Sequence, residues 1–177
     1  MGRPSDTETA YPALSVLSAF SVSEGLPVPA EYICQVPETN RAILEQLRKN
    51  ATRHLAETLG IAVTELTPER VTATMPVDDR TRQPFGILHG GASVALAETI
   101  ASLGAIMNVD LEKSSAVGVE INANHLRAKR DGIVTGTGVP LHVGRTTQVW
   151  EVKIVDEQQR PICVSRCTLA VVPREKS

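Results

Sequence analysis

The sequence predicts an α+β domain in which a mostly antiparallel sheet curves around one central helix. Its hydrophobic periods run helix, two strands, one long apolar helix and four strands, and a single central helix gives too few crossovers for a parallel doubly wound sheet. The 177 residues make about one domain of ~150 residues with a tail, long enough to bury a core without staples. Only five aromatics, Tyr11, Phe20, Tyr32, Phe85 and Trp150, accompany abundant Ala and Val. Such a core of small and β-branched side chains suits a sheet packed closely on a helix.

Residues 1–37 are rich in Pro, Ser and Glu with no sustained period, and read as an extension that is either disordered or draped over the body. Residues 38–60 read as an N-terminal helix: Thr39 or Asn40 can cap it, Ile43, Leu44, Leu47, Leu55 and Leu59 give an intermittent stripe, and Gly60 stops it. From residue 61 to 177 the pattern is that of the main domain. Segments 61–66 and 70–77 alternate around a Thr67-Pro68-Glu69 turn, with Val71, Ala73 and Met75 on one face, and read as a hairpin. After a polar loop, the run GGASVALAETIASLGAIM is apolar almost all round, the mark of a buried helix. Segments 115–127, 132–143, 146–156 and 161–172 then read as strands; in the third, Trp150, Val152 and Ile154 alternate with Glu151 and Lys153.

A net charge of −2 supplies no footprint for nucleic acid or an anionic membrane. The apolar stretch 11–22 is interrupted by serines, lacks a basic flank and is too short to span a bilayer. The three cysteines, Cys34, Cys163 and Cys167, show no metal-type spacing. On one strand the last two would stand about 13 Å apart, beyond bridging distance. They read as reduced thiols of a cytoplasmic protein.

Between His89 and Asp110 the one ionisable side chain is Glu98, and its helical neighbours Gly91, Val94, Ala95, Ala101, Ser102 and Ala105 are all small or apolar. A carboxylate on such a face sits either at a solvent window or in a cleft that a substrate can reach. At the start of the same helix, His89-Gly90-Gly91 offers free backbone N–H groups for a carbonyl oxygen or oxyanion. Glu98 lies about 12 Å along the axis from Gly90 at ~1.5 Å per residue. One carbonyl cannot touch both, so if they act together the two groups come from different subunits.

The stretch MPVDDRTRQPFGILHGGASVALAETIAS, followed by VGVEINANHLRAKRDGIV and PLHVGRTTQVWEVKIVDEQQRPICVSRCTLAVV, resembles the hotdog-fold acyl-CoA thioesterases. It is most similar to the 1,4-dihydroxy-2-naphthoyl-CoA and 4-hydroxybenzoyl-CoA (Arthrobacter-type) group, the former tied to menaquinone biosynthesis. The resemblance covers about 64–172 and leaves the N-terminal segment without a counterpart. It implies hydrolysis of an aromatic acyl-CoA, with Glu98 as nucleophile or general base and the Gly90 N–H polarising the thioester oxygen. It further implies that Gln83 and His89 position carbonyl and water, that Ser102 helps hold the carboxylate or water, and that Phe85 and His125 contact the acyl group. For coenzyme A it points to Arg127, His142, Gly144, Arg145 and Thr146, and more loosely to Lys129, Arg130 and Arg174. No metal and no cofactor beyond the CoA of the substrate is implied. The implied assembly is a dimer with shared active sites and, by analogy, a dimer of dimers. A hotdog dehydratase of acyl-CoA or acyl-ACP and a non-catalytic acyl-CoA-binding protein are the competing readings.

Overall fold

The computed structural model describes residues 30–33, 36–38, 40–42, 44, 45 and 54–174. The elements are α1 (Ala30–Ile33), α2 (Leu55–Leu59), β1 (Ala62–Leu66), β2 (Val71–Pro76), α3 (Gly90–Met107), β3 (Ser114–His125), β4 (Ile133–Val143), β5 (Thr147–Val155) and β6 (Pro161–Pro173). The six strands form one antiparallel sheet in the order β1-β2-β4-β5-β6-β3. This is the hotdog arrangement that the sequence predicts, with α3 as the central helix.

The topology explains why α3 is apolar on so much of its surface. β2 and β3 run in the same direction with three strands between them, so the chain must cross the sheet to connect them, and α3 is that crossing. Leu96, Ala97, Ile100, Ala101 and Ala105 are fully buried against Val71, Ala73 and Met75 of β2, Trp150, Val152 and Ile154 of β5, and Leu169 of β6. Close approach is secured by glycines on both partners. A methyl group on Gly136 or Gly138 of β4 would overlap Ile100, and one on Gly104 would overlap the Trp150 ring. The indole N–H of Trp150 donates to Gln148 Oε1 at 3.1 Å, and Gln148 Nε2 donates to the Ala105 carbonyl at 3.4 Å, so no buried polar atom of this pair is left unmet. By length and composition α3 passes for a membrane span, but it is the core helix.

The helix expected over 38–60 is interrupted. Residues 38, 40–42, 44 and 45 are helical, but His54 is extended (φ −121°, ψ 168°) and starts a separate helix, α2, its Nδ1 accepting from the Glu57 N–H at 3.2 Å. Gly60, at φ 71°, ends α2 in the left-handed conformation as expected of a stop signal. Asn40 does not cap its own helix. It is fully buried and closes the far end of α3: its Nδ2 donates to the carbonyls of Ile106 (3.0 Å) and Val109 (2.7 Å), and its Oδ1 accepts from Leu111 N–H (2.9 Å). Orphan carbonyls at a helix C-terminus are thus satisfied from sixty-odd residues away in sequence. Ile33, Val36 and Leu44 are buried on the body, and the Tyr32 hydroxyl donates to the Thr64 carbonyl at 2.6 Å. The remainder of the extension, Thr39, Ile43, Leu47 and Cys34 included, lies outside the described residues. Cys163 and Cys167 are free, buried thiols on β6.

Candidate active site

The loop before α3 is pinned by its own backbone. Gln83 N–H donates to the Ile87 carbonyl (2.8 Å), Gly86 N–H returns to the Gln83 carbonyl (2.9 Å), and Gly86 takes φ 74°, a value that favours glycine. Gln83 Oε1 accepts from Phe85 N–H at 2.8 Å, which leaves the amide NH2 as the group the side chain can offer outward. Phe85 projects from the tip of this loop, 85% exposed.

His89 is the N-cap of α3. Its Nδ1 accepts from Gly91 N–H at 2.8 Å, and its carbonyl accepts from Ala92 (3.0 Å) and Ser93 (3.2 Å). Of the four N–H groups in the first turn, Gly90 alone has no partner among the described residues. With Nδ1 occupied as an acceptor, the neutral imidazole carries its proton on Nε2. The His125 ring lies against Gly90, where a Cβ would come 2.7 Å from Nε2, so glycine is what lets the imidazole reach the helix tip. His125, Arg127 and Ser93, with Ile87, Leu88 and Leu126, surround a cavity of about 210 Å³ beside that tip.

Glu98 sits two turns further along, on the face of α3 turned away from the core. Its side chain leans over β3, with Oε1 2.8 Å from where a Cβ of Gly118 would stand. It is exposed in the single chain. Its charge is felt in the core: the Cys167 thiol is pushed up to about 11 by burial and then by the negative charges of Glu98 and Glu120. Glu98 and Ser102 border a cavity of about 620 Å³ whose remaining walls are mostly apolar. His54 and Leu55 also line it. Sequence reading missed both, because the extended His54 left no mark in a segment of helical composition.

The predicted residues fall into three groups. Gln83, Phe85, His89, Gly90, His125 and Arg127 gather at one end of the sheet, and Glu98 and Ser102 lie midway on α3. His142 stands at the end of β4, and Gly144, Arg145 and Thr146 form the β4–β5 turn, closed by Gly144 N–H to the Thr147 carbonyl (2.9 Å). That turn is at the opposite end: His125 is level with Cys163 of β6, whereas Thr147 is level with Ala170, a separation of roughly 23 Å over seven strand residues. One chain therefore does not bring the two groups of basic residues together. Lys129 and Arg174 are structural braces, Lys129 paired with Glu157 at 2.6 Å and Arg174 donating to the Leu111 carbonyl at 2.9 Å. Among the described residues no cluster of His, Cys, Asp and Glu could hold a metal ion.

Residues 85–163 match the model of the thioesterase superfamily. ComA2 of Bacillus subtilis (strain 168), whose name goes no further than esterase, is 58% identical over 120 residues, covering 68% of this chain and 95% of that protein. The 1,4-dihydroxy-2-naphthoyl-CoA hydrolase of Escherichia coli (strain K12) is 46% identical over 129 residues, covering 73% of this chain and 94% of that protein. Among solved structures, a mutant of the thioesterase PA1618 from Pseudomonas aeruginosa superposes with a TM-score of 0.68 at 42% identity, covering 79% of this chain and 97% of that one. The chain belongs to the thioesterase superfamily. Within it, this is a hotdog-fold thioester hydrolase.

Proposed function

We propose that the protein hydrolyses an aromatic acyl-CoA thioester to the free acid and CoA, in a site assembled from two copies of the chain. The observation that carries this reading is the single unpartnered amide at the tip of α3, Gly90 N–H, on the same helix as a carboxylate too distant to share a carbonyl with it. β3 is a long sheet edge, and Val117 and Val119 are exposed along it. Glu98 leans over Gly118 of that edge while Gly90 lies beside His125. A two-fold axis passing midway, at Ile121 and Asn122, sets residue 118 of one copy against residue 125 of the other in antiparallel pairing. Glu98 of one copy then faces the Gly90 N–H of the second.

In this arrangement the Gly90 N–H polarises the thioester oxygen and holds the oxyanion, and the Gln83 amide and His89 Nε2–H are the donors that orient carbonyl and water. Glu98 acts on the carbonyl carbon, either by taking a proton from the attacking water or by adding to it directly as nucleophile. The C–S bond breaks, the thiolate of CoA leaves and is protonated, and water supplies the oxygen of the acid. The same two-fold brings the β4–β5 turn of one copy toward the His125 end of its partner. Arg127 from one chain and His142, Gly144, Arg145 and Thr146 from the other then stand where the CoA phosphates are bound. The aromatic preference rests on the likeness to the naphthoyl-CoA hydrolases.

Thiol release from benzoyl-CoA and 1,4-dihydroxy-2-naphthoyl-CoA, followed with a chromogenic thiol reagent, tests the reading. Turnover of both without added metal or cofactor is expected. Tight binding of either without release of thiol would replace hydrolysis by acyl-CoA binding.

A further inference from the structure

The cavity of about 620 Å³ beside Glu98 has two walls of different origin. The outward face of α3 supplies one, through Val94, Ala95, Ser102 and Ile106. The start of α2 supplies the other, through His54, Ala56 and Leu55, and there the large apolar side chain is Leu55, 64% exposed. This leucine is not on a loose loop. His54 caps the turn beneath it, the Thr58 hydroxyl donates to the His54 carbonyl at 3.1 Å, and Ile61 N–H closes onto the Ala56 carbonyl at 2.8 Å. Ala56 and Leu59 anchor the other face of α2 in the core. The backbone that carries this bulky apolar group is thus pinned, and the side chain lies uncovered across an apolar space from the carboxylate.

We propose that Leu55 is a specificity-determining residue: it forms the far wall of the acyl cavity and sets the bulk of the apolar acyl group that fits between α2 and α3. The inference deepens the proposed function and rests on it for the identity of the acyl donor. A rigid wall discriminates by volume, and each methylene of misfit in an apolar pocket changes selectivity by roughly tenfold or more. An acyl group seated there covers Leu55 on one side and Val94, Ala95 and Ile106 on the other, removing from water the apolar surface that the free chain exposes.

The test uses Leu55→Ala and Leu55→Trp in the full chain. Because Leu55 is largely exposed, neither substitution opens a core cavity, and thermal unfolding verifies that both variants fold. The readout is the ratio of kcat/KM for 1,4-dihydroxy-2-naphthoyl-CoA to that for benzoyl-CoA. Leu55→Ala raises this ratio about tenfold and Leu55→Trp lowers it about tenfold. In parallel, the affinities of the non-hydrolysable thioether analogues of the two substrates are measured by calorimetry, and their ratio moves the same way. If the wild type binds the analogues but releases no thiol, hydrolysis is wrong and the affinity ratio still decides the role of Leu55. Ratios unmoved in both variants, or no binding of either analogue by the wild type, overturn the inference.

Discussion

Glu98 and Cys167 report on each other. The thiol is buried, and burial followed by the charges of Glu98 and Glu120 raises it from the ordinary 9.0 to about 11. A folded chain therefore keeps this proton at a pH where the unfolded chain releases it, so the thiol's contribution to stability is complete below pH 9 and is lost as pH rises from 9 to 11. Urea midpoints measured across that range should fall less steeply in Cys167→Ala than in the wild type. Glu98→Gln removes the charge with little change of shape. Its kcat/KM should drop by about 10² or more with KM nearly unchanged, and in the same variant Cys167 should label faster with a thiol reagent at pH 9. Unchanged turnover would remove Glu98 from the chemistry, whereas unchanged labelling would mean that its charge does not reach the thiol.

At the scale of elements, the packing of α3 on the sheet depends on missing side chains. Gly104 faces Trp150, which is fully buried and held by Gln148, so a methyl group there has no flexible neighbour to displace. Gly104→Ala should destabilise by about 2 kcal/mol, read as a lower denaturation midpoint at an unchanged m-value. Most of this architecture was legible beforehand. Period-two alternation in β2 and β5 and the all-round apolarity of α3 are signals of burial, and burial is what the sheet imposes. The break at His54 was not legible, because His is a poor cap by composition and became one only through a local bond to Glu57. Asn40 looked like a helix cap for the same kind of reason: its type suits a cap, but which carbonyls it meets is decided by chain folding, sixty-odd residues on. At the candidate site the sequence singled out Gly90 and Glu98 by isolation and spacing. The wall formed by Leu55 was hidden, since nothing local distinguishes a leucine facing a cavity from one facing the core.

At the scale of the whole molecule, one chain holds, on the proposed reading, two incomplete half-sites. Gln83 and Gly90 lie toward the His125 end of β3 and Glu98 over Gly118, and in the proposed dimer antiparallel pairing of two β3 edges closes the gap. This makes the assembly testable through activity rather than size alone. Gln83→Ala and Glu98→Gln should each be nearly inactive as pure proteins, because every site of a symmetric dimer then lacks one group. Mixed after co-expression, half of the dimers are heterodimers, and each of these carries one doubly impaired site and one site with both groups intact. Activity should therefore return to roughly one quarter of the wild-type value per chain, with the KM of the wild type since the surviving sites are unaltered. A site complete within one chain predicts no recovery on mixing, as does a dimer formed through another face that keeps Glu98 from the second copy's helix tip. The same experiment with Glu98→Gln and Ser102→Ala gives the control: both residues lie on α3 of one chain and border one cavity, so each heterodimer site lacks one of the two groups, none is intact, and mixing restores no activity beyond that of the parents. The two mixtures then differ only if Gln83 and Glu98 come from opposite chains, in which case the Gln83 mixture places the impaired pair in one site and spares the other. Were they from the same chain, each heterodimer site would lack one group, and the Gln83 mixture would stay as inactive as its parents.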